Sequence, residues 1–292
     1  MKLFLTGIFY LLVLIVSVMP FRALYWFSNF ASFIMLNVAK YRVEVVSSNL
    51  KKAFPEKTDD ELKLLRKLFY RNLCDNFVES FKTFTIRKST VVKRHKIKNP
   101  ELLQDIFKKH KGIIGATGHY ANWEWGSLSG SLQCDNNFVA FYKPVRNKYM
   151  DKILRDSRSK CGTELASIKQ TAATFEKYKD QNYVFLMAAD QSPSKGNQLK
   201  YAHWTSFLGI ETAFLSGIER HAKINNYPVI YIDIQRVKRG FYELELSVLV
   251  EDPSKCKDGE ITDLYKNKLE EIIRKKPENW LWSHKRWKHT KA

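Results

Sequence analysis

The segment GATGHYANWEWG, residues 115–126, sets His119 and Glu124 five positions apart between glycines and tryptophans. Residues on one helix face lie three or four apart, and a spacing of five leaves two side chains about 140° out of phase. The pair is therefore no helix-face metal clamp, and the two side chains meet only across a backbone bend. GIIGAT before it reads as a buried strand, Gly118 permits a turn, and Asn122 is placed to cap a helix beginning NWEWGSLSGSL. Glu124 then falls in the first helical turn, where the dipole favours a carboxylate, and it can fold back onto the imidazole. A histidine oriented by a carboxylate is a general base for a hydroxyl. The same residues, taken alone, also describe a capped helix with a merely packed histidine.

The elements that must position this pair follow the hydrophobic rhythm. TDDELKLLRKLFYRNLCDNFVESFKTF opens with a capping box, Thr58 and Glu61, and carries Leu62, Leu65, Leu68, Phe69, Leu73, Phe77, Phe81 and Phe84 at helical spacing. From Gly112 onward, short β-type runs (GIIGAT, NNFVAFY, NYVFLMAA, YPVIYIDIQRV and FYELELSVLV) alternate with helical stretches near 146–160, 169–180, 212–225 and 260–276. The expected fold class is α/β: a mixed sheet flanked by helices, with long amphipathic helices and an N-terminal membrane-anchoring helix. The expected organisation is an anchor at 1–22, an interfacial and helical region at 23–100, and a catalytic domain at 101–292.

The anchor rests on residues 3–19, LFLTGIFYLLVLIVSVM, which are uncharged and nearly all apolar. As a helix they would extend about 25 Å, within the usual range for a span. A cleaved signal peptide is the competing reading, but no small-x-small site follows and Lys2 is the sole charge before the run. Arg22, Lys40, Arg42, Lys51 and Lys52 come after it, which places the body of the protein in the cytoplasm.

The whole chain of 292 residues carries 49 Lys and Arg against 30 Asp and Glu, a net charge of +19. That balance asks for an acidic partner: nucleic acid, an anionic membrane, or an acidic protein or substrate. The four cysteines have no metal-ligand spacing and read as free thiols, small buried hydrophobes in a reducing compartment. KYAHWTSFLG, residues 200–209, fits an acyl-chain groove or a plain core, and His203 and His221 read as structural. Trp280–His289, WLWSHKRWKH, has the composition of a membrane-interface or anionic-headgroup segment.

GHYANWEWG resembles the GH-x-x-NWE signature of the lipid A late acyltransferases, the Kdo-lipid A acyl transfer family within the lysophospholipid acyltransferase superfamily. The resemblance continues through NLKKAFPEK, FYRNLCDNFVES, FYKPVRNKYMDKILRDSRSKCG, AADQSPSKG and NWLWSHKRWKH, in order along most of the chain. It implies His119 as general base with Glu124 as its partner in a dyad. Arg158, with Arg155 as alternative, and Asn122 are the implied positioning or oxyanion groups. Lys143, Arg146, Asp190, Gln191, His284 and Arg286 are implied substrate-binding residues. Lys143 stands where the family commonly has Arg, which keeps the charge and loses the bidentate fork. Asp190 and Gln191, at the end of an apolar run, read as pocket-lining or as an Asx-type turn.

The implied reaction moves a fatty acyl chain from an acyl carrier protein thioester to a hydroxyl of a Kdo-bearing lipid A precursor. It would occur on the cytoplasmic face of a bacterial inner membrane, with no cofactor and no metal. A lysophospholipid or other glycolipid acceptor is the alternative. From another class comes a membrane-tethered nucleic-acid-binding protein; its basic residues, however, are dispersed and no nucleic-acid motif is present.

Overall fold

The computed structural model describes residues 2–291. In chain order, helices α1 (Lys2–Val18), α2 (Phe21–Phe33), α3 (Val43–Ala53), α4 (Asp59–Lys82) and α5 (Lys88–Arg94) precede strand β1 (His95–Ile97). Helix α6 (Glu101–Phe107), β2 (Gly112–Thr117), α7 (Gly126–Gln133), β3 (Asn137–Tyr142), α8 (Lys148–Ser159) and β4 (Glu164–Ser167) follow. Next come α9 (Thr171–Tyr178), β5 (Tyr183–Ala188), α10 (Asn197–Lys200), a β6–β7 hairpin (His203–Phe207, Ile210–Phe214) and α11 (Gly217–Asn225). A second hairpin, β8 (Val229–Lys238) and β9 (Phe241–Val250), and helix α12 (Glu260–Lys275) complete the fold.

Seven strands form one sheet in the order β1-β9-β8-β2-β5-β3-β4, antiparallel between β8 and β9 and parallel elsewhere. The expected α/β class with a mixed sheet and flanking helices is present. The parallel interior explains why GIIGAT and YVFLMA are continuous apolar runs rather than alternating ones, since helices cover both faces. Residues 212–214 belong to the β6–β7 hairpin rather than to a helix starting at 212. That hairpin buries Phe207 and Phe214 and is absent from the walls of the cavity described below. Strand β1, within the expected helical region, pairs with β9 at the sheet edge.

The N-terminal region is built the other way round from the core. Pro20 ends α1, and the Thr6–Val18 and Phe21–Val38 helices meet at a bend of 119°. Among the described residues no single helix is long and apolar enough to cross a membrane, although this bent pair has the length and composition to do so. Ser17, Ser28 and Ser32 are buried, whereas Leu11, Val18, Trp26, Phe30 and Phe33 are exposed, Trp26 by 75 %. The predicted stripe on α4 packs inward at Phe69 and Leu73, with Leu62 and Leu65 against the core. Phe77 is exposed, while Asp75, Glu79 and Lys82 are buried. Those charges stay inside because partners meet them: Asp75 accepts from Ser28 Oγ, Arg236 and Arg239, and Lys82 donates to the Ser17 carbonyl. The capping box on Thr58 and Glu61 is formed as expected.

Candidate active site

Parallel pairing in register brings the site together. Thr117 at the end of β2 lies opposite Ala188 at the end of β5, so His119 and Asp190, each two residues further on, leave the sheet side by side. Gly118 allows this approach, because a Cβ there would sit 2.8 Å from Leu269 Cδ1 and 3.4 Å from Asp190 Oδ2. Beyond His119 the chain reverses at Ala121, whose φ of +49° is uncommon outside glycine. Tertiary bonds hold that turn: Ala121 N donates to the Asn279 carbonyl, Asn76 Nδ2 to the Ala121 carbonyl, and Leu281 N to the His119 carbonyl.

Asp190 is buried and accepts three hydrogen bonds. His119 Nδ1 donates to Oδ1 at 2.6 Å, and His119 N and Trp280 Nε1 donate to Oδ2 at 2.8 and 2.9 Å. Burial by itself would raise the carboxyl pKa, but the adjacent imidazole charge and these donors outweigh it and hold it at about 2. Burial likewise works to lower the His119 pKa, and the Asp190 charge and hydrogen bond overcome it, leaving the imidazole raised above its ordinary value. With Nδ1–H committed to Asp190, the lone pair of Nε2 accepts from the Gln191 amide at 3.1 Å. His119 therefore presents a basic nitrogen in a fixed tautomer.

Glu124 does not fold back onto the imidazole. Arg158 Nε and Nη2 donate to its Oε2 and Oε1 at 3.0 and 2.9 Å, a bidentate fork. Its charge still acts on His119 as a lesser influence than Asp190. The expected hydrogen-bonded dyad is thus replaced by two pairs, His119–Asp190 and Glu124–Arg158. The reason is topological: the strand end supplies a nearer carboxylate, and α8 supplies a guanidinium to Glu124. Arg155, the alternative position, points to Asp151 on its own helix.

Asn122 caps as predicted, its Oδ1 accepting from Trp125 N, but its Nδ2 is turned into the core toward Glu79 Oε2 at 2.6 Å. It therefore positions the turn and lies outside the cavity wall. Glu79, unnoticed in the sequence, also accepts from Tyr25 and Tyr242. A carboxylate adjoining the α4 stripe was the only signal for it. Buried His95 donates to or accepts from Ser129 Oγ and the Asn122 carbonyl, and burial pushes its pKa down to about 3, so it is neutral.

A cavity of about 290 Å³ opens beside His119. Its mouth carries His119, Trp123, Glu124, Lys143 and Arg158, and its interior runs between α7 and the sheet over Leu186, Ile232, Ile234, Leu244 and Leu246 to Ile97, Leu103 and Cys134. Gly126 forms part of the wall, and a Cβ there would meet nothing within 4 Å, so the helix leaves room for an occupant. The arrangement is one basic nitrogen and one guanidinium at the opening of an apolar tunnel. Among the described residues no group of His, Cys, Asp or Glu is placed to hold a metal ion.

Of the other predicted residues, Lys143 is exposed at the mouth, and Arg146 is exposed on the loop beyond it, outside the cavity wall. Arg286 lies outside the cavity wall. It is buried, donates to the Ala213 carbonyl and lies over Phe214. His284 accepts from Ser192 N through Nε2, and burial lowers its pKa to about 4. In the expected interfacial tail Trp280, Trp282 and Arg286 turn inward, while Lys285 and Lys288 are exposed. Trp280 and Trp282 are in the core, because their indole N–H groups find acceptors in Asp190 and the Pro277 carbonyl. Trp280 as a donor to Asp190 had no sequence signal, since 90 residues separate them.

Comparison with curated proteins gives no match. The family model for bacterial lipid A biosynthesis acyltransferases matches residues 2–289. With nearly every residue covered, and with the GH-x-x-NWE turn at the mouth of an apolar tunnel, the chain belongs to the bacterial lipid A biosynthesis acyltransferase family.

Proposed function

We propose that this acyltransferase carries a fatty acyl chain from the thioester of acyl carrier protein to a hydroxyl of a Kdo-bearing lipid A precursor, with His119 as general base. The observation that carries this reading is the opening of the apolar cavity at His119, whose Nδ1 is held by Asp190 and whose Nε2 carries the lone pair. The acyl chain lies in the cavity and its thioester carbonyl at the mouth. The acceptor hydroxyl replaces Gln191 at Nε2 and gives up its proton there as its oxygen attacks the carbonyl carbon. The carbon–sulfur bond then breaks, and the departing thiolate takes the proton back from the imidazolium. Asp190 stabilises that imidazolium, and Arg158, braced by Glu124, places positive charge near the developing oxyanion.

The partners follow from charge and exposure. Lys143, Arg146 and Lys148 are exposed along the β3–α8 segment at the mouth, where an acidic carrier would dock. The exposed apolar side chains of α1 and α2 suit insertion into the cytoplasmic leaflet of the inner membrane, with Arg42, Lys51 and Lys52 near anionic headgroups. The test uses membranes carrying the protein, labelled acyl carrier protein thioester and a Kdo-bearing lipid A precursor. Label reaching the acceptor with wild type and not with His119→Ala supports the reading. Equal transfer by both removes His119 as base, and transfer only to lysophospholipid acceptors would redirect the acceptor class.

A further inference from the structure

A second cleft, of about 270 Å³, lies on the other side of Trp123 and Glu124 from the apolar cavity, and both residues line both spaces. Its walls combine apolar side chains, Leu73 and Leu281 among them, with polar ones. They include Tyr41 and Phe77, which are exposed at its rim, and the polar side chains of Arg42, Asn76, Ser80 and His284. Two substrates have to meet at His119, and the first space is filled by a hydrocarbon chain in the reaction described above. We infer that this cleft seats the anionic sugar headgroup of the acceptor lipid and delivers its hydroxyl past Trp123 to His119. The inference rests on the acyl-transfer reading of the site.

The chemistry of the walls selects this occupant. Flat aromatic faces on Trp123 and Phe77 suit the apolar faces of sugar rings. His284 accepts from Ser192 N through Nε2, which leaves its proton on Nδ1 as a donor, and its lowered pKa keeps it neutral. Glu124, neutralised by Arg158, remains an acceptor for sugar hydroxyls. The Arg42 guanidinium supplies the cation for a phosphate or carboxylate and is steadied by donation from its Nη1 to the Ser283 carbonyl at 2.8 Å. Residues 38–41 lead from this rim to the exposed apolar face of the N-terminal helices, with Val38 65 % exposed. The acceptor's own acyl chains can therefore stay in the membrane while its headgroup occupies the cleft.

The test is steady-state transfer in vesicles with donor and acceptor varied separately, comparing wild type, Ser80→Trp and Arg42→Gln. Ser80 is partly exposed and its hydroxyl bonds only to the Asn76 carbonyl of its own helix, so an indole there fills the cleft rather than the core. For each variant the KM for the Kdo-bearing precursor should rise about tenfold or more, as expected for losing a charge-assisted contact or its space. The KM for the acyl thioester should stay within about twofold. A rise in both constants together, or in neither, overturns the assignment of the cleft. Absence of transfer by wild type would instead overturn the reaction itself, and this assignment with it.

Discussion

The two charged pairs at the mouth of the cavity are alike in composition and unlike in surroundings. His119–Asp190 joins the ends of two adjacent parallel strands, and its carboxylate is buried with all three donors fixed. Glu124–Arg158 joins a helix start to the side of α8, and both side chains are between a quarter and a third exposed. Rigid strand ends define position to within a hydrogen bond, whereas a partly solvated fork retains some freedom and is screened by water. In the proposed mechanism the first pair controls the proton, and the second shapes the field at the opening. Either half of this distinction can be broken separately.

The largest effect is expected from Asp190→Asn, which keeps the shape but favours the wrong imidazole tautomer. Turnover should fall by about 10³–10⁴ with the circular dichroism spectrum unchanged. A loss under tenfold would return the orienting role to Glu124. Next comes Glu124→Gln, expected to cost about 10² in kcat by loosening Arg158 and weakening the field. Arg158→Gln should cost a similar factor, and the double variant little more than either single one, because the two residues act through one fork. Strict additivity in that cycle would mean that Glu124 and Arg158 work independently.

A smaller change is expected from Gly126→Leu, which fills cavity space and leaves both pairs alone. Preference should shift toward shorter acyl donors by about tenfold, read from competing thioesters of different length. An unchanged chain-length profile would place the acyl group elsewhere. The smallest effect is a displacement along the pH axis. His119 must be neutral to accept the proton, and its pKa is raised, so the acid limb of kcat/KM should lie above pH 6.5. The same raised value means that the imidazolium–Asp190 pair stabilises the fold fully below the unfolded value, and that this contribution is lost as pH rises through the folded one. In Asp190→Asn the opposing effect of burial remains, and the limb should move to lower pH. Glu124→Gln should move it in the same direction but less, in keeping with its lesser influence.

The N-terminal helices and the sheet show why apolar content alone was ambiguous. Both are rich in large hydrophobic residues, yet β2 and most of β5 bury theirs while Leu11, Val18, Trp26, Phe30 and Phe33 on α1 and α2 are exposed. A periodicity read from α4 located the helix and its capping box correctly. It missed the charged part of the inward face, because Asp75 and Glu79 are carried inside by partners on α2 and β9, beyond any local window.

What the sequence determined by itself is local: the turn of GHYANWE with its Asn122 cap, the apolar strands of the α/β sheet, and the family to which its ordered motifs point. The α/β class followed from those runs because backbone period and burial are written in adjacent residues. Which carboxylate holds His119 was decided only by the tertiary structure. Thr117 and Ala188 pair across parallel strands 71 residues apart, and a one-residue slip in that register would turn the following side chains to the other face. The release of Glu124 to Arg158, the burial of Trp280 and Trp282, and the two spaces meeting at Trp123 are likewise products of packing. Each depends on distances between segments that no spacing along the chain encodes.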